Sequence, residues 1–253
     1  MNTWHGLARS LALHRSVAAS VAAALAALVA LTGCASDGPD TADTASETSP
    51  VDSAAAETAS LVASGVGVIA EGCSMVASLG SGVVVERSGQ VATAAHTVRG
   101  ASMLTVVDAE GRQHRASVTS FDKDSDLALL DVPTLSAPPL GIGTARVGPA
   151  TLITWRRSDG VTQQLVGVTR LLTINIEDIY TNEVVQRTGL EVDGDVIVGQ
   201  SGGPVVDANG EVIGIIYATS KDRDAVGFAT DHTELRELIE ARSPGGVANG
   251  QCP

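Results

Sequence analysis

One serine in the chain stands among glycines, in the stretch GQSGGPVV from Gly199 to Val206. The glycines on both sides allow backbone conformations that a Cβ would forbid, and they leave the hydroxyl of Ser201 open to solvent and substrate. A serine hydroxyl is a poor nucleophile at neutral pH and needs a neighbouring base to take its proton. Gly, Ser and Pro also dominate ordinary turns, so the stretch alone is consistent with a β-turn.

The base that usually activates a serine is histidine, and the chain has five. His5 and His14 leave with the predicted signal peptide, His114 sits in a polar strand, and His232 lies in the first turn of a predicted helix. His96 is different, because in TAAHTV it directly follows the strand GQVATAA. Taken alone, a histidine at a strand end is more often a structural residue than a base.

The histidine in such a site is held in the required tautomer by a buried carboxylate. The candidates are Asp122, Asp124 and Asp126 in FDKDSDLALLDV. Asp126 precedes the apolar strand LALL, so its carboxylate is the one that we expect to be partly buried. The other two fit the chemistry of a turn.

Together, TAAH, DSDLALL and GQSGGPVV resemble the trypsin/chymotrypsin-like serine peptidases, particularly bacterial extracytoplasmic members related to the HtrA group. The resemblance covers about Val66 to Ile239. It implies two six-stranded antiparallel Greek-key β-barrels, with His96 and Asp126 on the first and Ser201 on the second. The implied activity is endopeptidase hydrolysis of protein or peptide substrates through a His-Asp-Ser triad and an acyl-enzyme intermediate.

The same resemblance assigns further residues around the serine. The backbone N–H groups of Gly199 and Ser201 would form the oxyanion hole. Gln200 stands where animal members carry an aspartate that pairs with a freed N-terminus, which implies a domain that is active without such a switch. Asp195, six residues before the serine, is a candidate specificity residue, although EVDGDV fits a solvated turn better.

The strands themselves are indicated by local patterns. From about residue 63, short Val/Ile/Thr-rich runs alternate with glycine-containing turns such as DAEG and DANG, which favours an antiparallel barrel or sandwich. The peptidase domain is expected at 63–242, with barrels at about 63–135 and 148–230 joined by a proline-rich crossover. A C-terminal tail follows at 243–253.

A short helix is predicted at 232–242. Asp231 would be its N-cap, with Glu234 three residues later as the partner in a capping box. Leu235, Leu238 and Ile239 fall on one face, which we expect to pack against the second half of the domain.

Residues 1–33 have the pattern of a signal peptide: Arg9 and Arg15, then an apolar run from Val17 to Leu31. A transmembrane anchor is the alternative, but the run is short and Ala-rich. LTGC resembles the lipobox of bacterial lipoproteins, which implies lipidation of Cys34. Residues 34–62 are acidic and lack Lys and Arg, which predicts a disordered tether. The expected location is the extracytoplasmic face of the cell membrane, with a lipid anchor.

Charge and cysteine content bound the remaining possibilities. The net charge is −13 and no basic patch is visible, which argues against nucleic acid as a partner. Cys73 and Cys252 are expected to form a disulfide in an oxidising compartment, and they resemble a pair in actinobacterial cell-envelope trypsin-like proteases. Two unrelated thiols are the alternative. No metal site or cofactor is predicted, and the chain is expected to be a monomer.

Two other functions remain open on sequence grounds. One is a catalytically weak trypsin-like module that binds peptides or envelope stress signals. The other is an esterase that uses the same triad, although GQSGGP lacks the G-x-S-x-G elbow of that fold.

Overall fold

The computed structural model describes residues 58–72, 74–177, 183–243, 246–250 and 252. The predicted signal peptide, Cys34 and most of the tether lie outside the described residues, as does Cys73. In the part that is described, no helix combines the length and the apolar character needed to cross a membrane.

The first half of the domain is a ring of six antiparallel strands in the order β1-β2-β3-β6-β5-β4, closed by pairing of β4 with β1. The strands are β1 (Gly65–Glu71), β2 (Ser78–Val84), β3 (Gln90–Ala94), β4 (Met103–Val107), β5 (Gln113–Asp122) and β6 (Leu127–Asp131). A short helix, α1 (Ala95–Val98), follows β3 directly. The DAEG turn links β4 to β5, and Gly111 there has φ +81°, a conformation that glycine adopts without strain.

The second half repeats this plan in the order β10-β11-β12-β9-β8-β7, closed by pairing of β7 with β10. The strands are β7 (Gly148–Arg156), β8 (Gly160–Glu177), β9 (Val184–Asp193), β10 (Pro204–Val206), β11 (Val212–Thr219) and β12 (Val226–Asp231). The predicted fold class, two six-stranded antiparallel barrels with a short C-terminal helix, is confirmed.

Three apolar clusters hold the domain together. One fills the first barrel around Val68 and Leu130, and another fills the second barrel around Leu190 and Ile216. The third lies between the barrels, because it combines side chains of both with those of the C-terminal helix. Burying each such side chain contributes about 1.5–3 kcal/mol. The relative placement of the barrels therefore rests on a core of its own.

That helix, α2 (His232–Glu240), begins at the predicted N-cap, since the Asp231 carboxylate accepts a hydrogen bond from the Thr233 N–H at 2.9 Å. Glu234 does not act as in a capping box. Its carboxylate instead accepts the backbone N–H of Thr188 in β9 at 2.9 Å. The apolar face enters the cluster between the barrels, and so contacts both halves rather than the second alone.

The ends of the domain are held against its body. Residues 58–64 are helical, which differs from the tether predicted to residue 62, because Leu61 packs against the cluster between the barrels. At the other end, the side-chain amide of Asn249 donates to the carbonyl oxygens of Val98 and Ala101. Cys252 is disulfide-bonded. Its pairing with Cys73 stays a prediction.

Candidate active site

His96 and Asp126 meet at the end of the first barrel where β3 ends and β6 begins. The carboxylate makes two bonds to the same residue: Oδ2 lies 2.8 Å from His96 Nδ1, and Oδ1 accepts the His96 backbone N–H at 2.8 Å. Asp126 is 3% exposed, whereas the imidazole is 36% exposed. One edge of the ring is thus fixed by a buried acid and the other remains accessible.

The turn before β6 places that acid. Asp126 has φ +57°, a left-handed conformation that aspartate tolerates better than most residues. Asp122 supports the turn, because its carboxylate accepts hydrogen bonds from the backbone N–H of Asp124 and from the hydroxyl of Ser125. Asp124 is exposed and pairs with Lys123. Of the candidate acids, only Asp126 reaches the histidine, and the other two belong to the turn.

The pKa of His96 is raised above its ordinary value of 6.5. Burial is the largest influence and lowers the pKa, but the hydrogen bond to Asp126 and the charge of that carboxylate together outweigh it. The positive charge of Arg187 also lowers the pKa. The imidazole is therefore stabilised in the protonated form that a general base reaches during catalysis.

Ser201 lies where the two barrels meet. Its carbonyl oxygen accepts the backbone N–H of Ser81 in β2 at 2.7 Å, and the Ser81 hydroxyl accepts the N–H of Trp155 in β7 at 2.8 Å. A third bond of this inter-barrel seam joins the Thr230 hydroxyl to the Ser125 carbonyl at 2.9 Å. The seam fixes the serine backbone against the barrel that carries His96.

The glycine after the serine permits this approach. A Cβ on Gly202 would lie 2.0 Å from the Ser81 carbonyl oxygen and 2.3 Å from the Thr93 hydroxyl. The serine hydroxyl itself makes no hydrogen bond to the described residues, His96 included. Such bonds are often long in unliganded sites and shorten only when substrate binds. The place of Ser201 in a triad stays a prediction.

The turn from Ile197 to Gln200 presents the predicted oxyanion-hole amides. Gly199 has φ +94° and the Gln200 N–H bonds back to the Ile197 carbonyl, as in a type II turn. The N–H groups of Gln200, Gly202 and Gly203 donate to backbone carbonyls. Within the described ranges, those of Gly199 and Ser201 donate to no protein group, so this arrangement leaves them free to meet a negative charge.

Gln200 holds that turn from inside. The side chain is buried, its carbonyl oxygen accepts the backbone N–H of Ile197 at 2.9 Å, and its amide donates to the Thr154 hydroxyl at 3.2 Å. A neutral amide thus orders the loop without an N-terminal ammonium. The sequence identified Gln200 as a departure from the animal pattern but did not indicate these bonds.

We expect Gln200→Leu to lower kcat for peptide hydrolysis by about 10²–10³-fold, the range for losing one oxyanion-hole donor, with little change in KM. The Ile197 N–H would lose its partner and the turn its fixed form. Steady-state kinetics checks this. Thr154→Val is the matched control, because it removes only the bond at the far side of the amide and should have a much smaller effect. Equal losses in the two variants would contradict a role of Gln200 in the turn.

Asp195 lies exposed in the bend after β9, and its carbonyl oxygen accepts the side-chain amide of Gln164. The next residue, Val196, turns inward, since a Cβ on Gly227 would meet its side chain at 2.7 Å. This placement fits the turn interpretation, and a role of Asp195 in specificity stays a prediction.

Two depressions lie on the surface of the domain, and the first of them adjoins the site at Gly199. One, of about 450 Å³, is lined by residues that include Leu79, Trp155 and Gly199. The other, of about 540 Å³, lies between the β8 residues Ile174 and Asn175 and the segment 217–223. In the described residues, no group of three His, Cys, Asp or Glu side chains has the arrangement of a metal site.

Sequence analysis missed three residues that contribute contacts at the site: Arg187, Thr230 and Ser81. Each acts from a distant part of the chain, and none lies in a motif. The Ser125 carbonyl, for example, accepts hydrogen bonds from Arg187 and from Thr230. Only the folded structure brings these groups to the site.

Comparisons with known proteins agree with this geometry. Residues 80–215 match the family described as trypsin-like peptidase domain. Serine protease Rv3671c of Mycobacterium tuberculosis is 31% identical over 178 residues, which cover 68% of this chain and 44% of that protein. The periplasmic serine endoprotease DegP of Salmonella typhimurium is 32% identical over 172 residues, 64% of this chain and 35% of that protein.

Among solved structures, the active form of Rv3671c protease from M. tuberculosis superimposes with a TM-score of 0.72 and 27% identity. The match covers 81% of this chain and 92% of that one. The chain spans less than half the length of the curated relatives described above. Because the family match extends over more than half of the residues and the barrels and the His96–Asp126 pair are in place, the chain belongs to the family of trypsin-like peptidases.

Proposed function

We propose that the protein is an extracytoplasmic serine endopeptidase, tethered to the membrane, that hydrolyses peptide bonds in protein or peptide substrates. The observation that carries the proposal is the pair of bonds from the buried Asp126 carboxylate to the ring and backbone of His96. The unengaged N–H groups of Gly199 and Ser201 support it. A monomer suffices for this chemistry.

The reaction follows from these positions. The Ser201 hydroxyl oxygen attacks the scissile carbonyl carbon while His96 Nε2 takes the hydroxyl proton, and Asp126 stabilises the imidazolium without taking a proton itself. The N–H groups of Gly199 and Ser201 receive the charge that develops on the carbonyl oxygen. His96 then gives its proton to the leaving amine. Water, activated by the same imidazole, releases the acyl group from the serine.

A fluorophosphonate probe followed by peptide and ester substrates tests the proposal. We expect covalent labelling of the intact protein, loss of the label in Ser201→Ala, and cleavage of casein or a peptide panel. Absence of labelling in a folded protein would leave the peptide-binding module as the better description. Labelling with hydrolysis of simple esters and of no peptide would favour the esterase.

Anchoring is supported by the sequence of residues 1–62, in which a signal-peptide pattern ends at LTGC and an acidic segment follows. Acyl chains on Cys34 would hold the domain at the membrane surface. In the cell, we expect the native chain to enter the detergent phase on partitioning and Cys34→Ser to remain in the aqueous phase. Aqueous partitioning of both forms would contradict the lipid anchor and leave the peptidase proposal untouched.

A further inference from the structure

Arg187 is buried beside the His96–Asp126 pair, although its sequence context VVQRTG fits a solvated strand. It belongs to β9 and pairs with Ile174 of β8, beyond the stretch where β9 pairs with β12. In the first four residues of this strand, the burial of a valine and of the arginine is the reverse of what polarity predicts. Val184 is 71% exposed, whereas Arg187 is 2% exposed.

The guanidinium of Arg187 has few hydrogen-bond or ion-pair partners to offset the cost of burying its charge. Nη1 donates to the Ser125 carbonyl oxygen over 3.4 Å, and the guanidinium carbon lies 5.1 Å from the centre of the Tyr217 ring. Nε has no hydrogen-bond partner among the described residues, and within the same ranges Arg187 forms no ion pair. By contrast, Arg170 and Arg223 both pair with Glu191.

Stability does not explain such a residue. A buried charge without a full set of partners is costly, and replacing buried ionic groups by apolar side chains of similar volume is often neutral or stabilising. A buried polar group that is incompletely bonded calls for another explanation, and conflicts of this kind cluster at functional sites.

The groups that Arg187 faces belong to the site. Ser125, whose carbonyl it binds, directly precedes Asp126, and Thr230 binds the same carbonyl oxygen. On the β11 side stands Tyr217, whose pKa is raised to about 12, chiefly by burial, and which is therefore neutral. The charged groups that act on His96 are Asp126 and Arg187, whereas Tyr217 of β11 is neutral. Asp122 bonds within the turn before Asp126.

We propose that Arg187 is a positioning residue for the His96–Asp126 pair: its buried guanidinium binds the peptide before Asp126, and its positive charge opposes protonation of the imidazole. The Asp126 carboxylate and the Arg187 guanidinium then have opposite effects on the charge of the imidazole. Asp126 favours the charged imidazole that forms during the reaction, and Arg187 limits how far the resting imidazole is protonated. The charge of Arg187 indeed lowers the pKa of His96. Only the kinetic consequences of this inference rest on the proposed peptidase function.

The sign of the effect is testable. A general base must be neutral, so kcat/KM falls below the pKa of His96 in the free enzyme. Removing a positive charge raises the pKa of His96 further. In a plot of kcat/KM against pH, the acid limb, where the rate falls, then moves to higher pH. We expect Arg187→Met to lose rate several-fold more at acid than at alkaline pH. Arg187→Lys, which keeps the charge, should retain the acid limb of the native protein.

Thr230→Val is the matched control, because it removes the other donor to the Ser125 carbonyl and changes no charge. It should lower kcat/KM without moving the acid limb. Thermal unfolding of Arg187→Met should occur at or above the native temperature, whereas a purely structural role predicts a clear decrease. An unmoved acid limb in Arg187→Met, or the same shift in Thr230→Val, would overturn the proposal.

Titration of the His96 Cε1–H by NMR in a Ser201→Ala background gives a readout that needs no activity. We expect a higher pKa for His96 with Arg187→Met, and with Arg187→Gln as a second variant if the methionine protein does not fold. A raised pKa of His96 in this background, together with a native protein that cleaves no peptide, would support the role of Arg187 and refute the peptidase. Peptidase activity of the native protein together with an unchanged pKa of His96 would support the peptidase and refute the role of Arg187.

Discussion

Ser201→Ala is expected to lower kcat for peptide hydrolysis by about 10⁶-fold, because a catalytic serine and its histidine act as a unit and loss of either removes the covalent route. The replacement deletes one oxygen atom at a residue whose backbone is fixed by the Ser81 N–H. The fold, and with it the free amides of Gly199 and Ser201, should therefore persist. Hydrolysis of a fluorogenic peptide with active-site titration is the measurement.

The control for this result is Ser88→Ala, at the exposed turn between β2 and β3 and thus at the opposite end of β3 from His96. It should retain native kinetics. Residual activity of Ser201→Ala within tenfold of the native rate would mean that another group performs the attack, and the proposed mechanism would fail.

Asp126→Asn is expected to reduce kcat by about 10⁴-fold, the magnitude typical of losing the acid in a triad. The geometry gives a specific reason. Because Oδ1 accepts the His96 backbone N–H, an asparagine would keep its carbonyl oxygen there and turn its amide toward Nδ1. The ring would then carry its proton on Nε2, facing the serine, and could not accept a second one from the hydroxyl.

Kinetics across pH and thermal unfolding would test this prediction. Asp124→Asn is the matched control, since Asp124 belongs to the same turn but pairs with Lys123 at the surface, and its kinetics should stay native. Similar losses in both variants would indicate that the turn, rather than the orientation of the imidazole, had been damaged. An unchanged rate in Asp126→Asn would exclude the proposed role of the carboxylate.

Much of this architecture could be predicted because it is encoded locally. The DAEG and DANG turns, the apolar runs and the Asp231 cap each depend on neighbours within a few residues. The contact between His96 and Asp126 could be predicted only through the resemblance to a family, since the residues lie 30 positions apart. The helix face was placed correctly, but its contact with both barrels depends on their mutual packing.

What escaped prediction depends on contacts over long distances or on an unusual environment. Arg187 reaches Ser125 across 62 positions, and no pattern of hydropathy makes an arginine in VVQRTG a buried residue. The side-chain bonds of Gln200 require Thr154, 46 positions earlier. Glu234 fitted a capping box, but the approach of β9 provided the Thr188 N–H as a better placed donor.

The inter-barrel seam has a consequence for the making of this protein. The imidazole and its acid belong to one barrel and the alcohol to the other, and the bonds at Ser81 and Ser125 each join residues of the two barrels. A newly synthesised chain with a single finished barrel thus has a base with nothing to activate. In the proposed peptidase, a copy with one unfinished barrel would therefore be unable to cleave its neighbours.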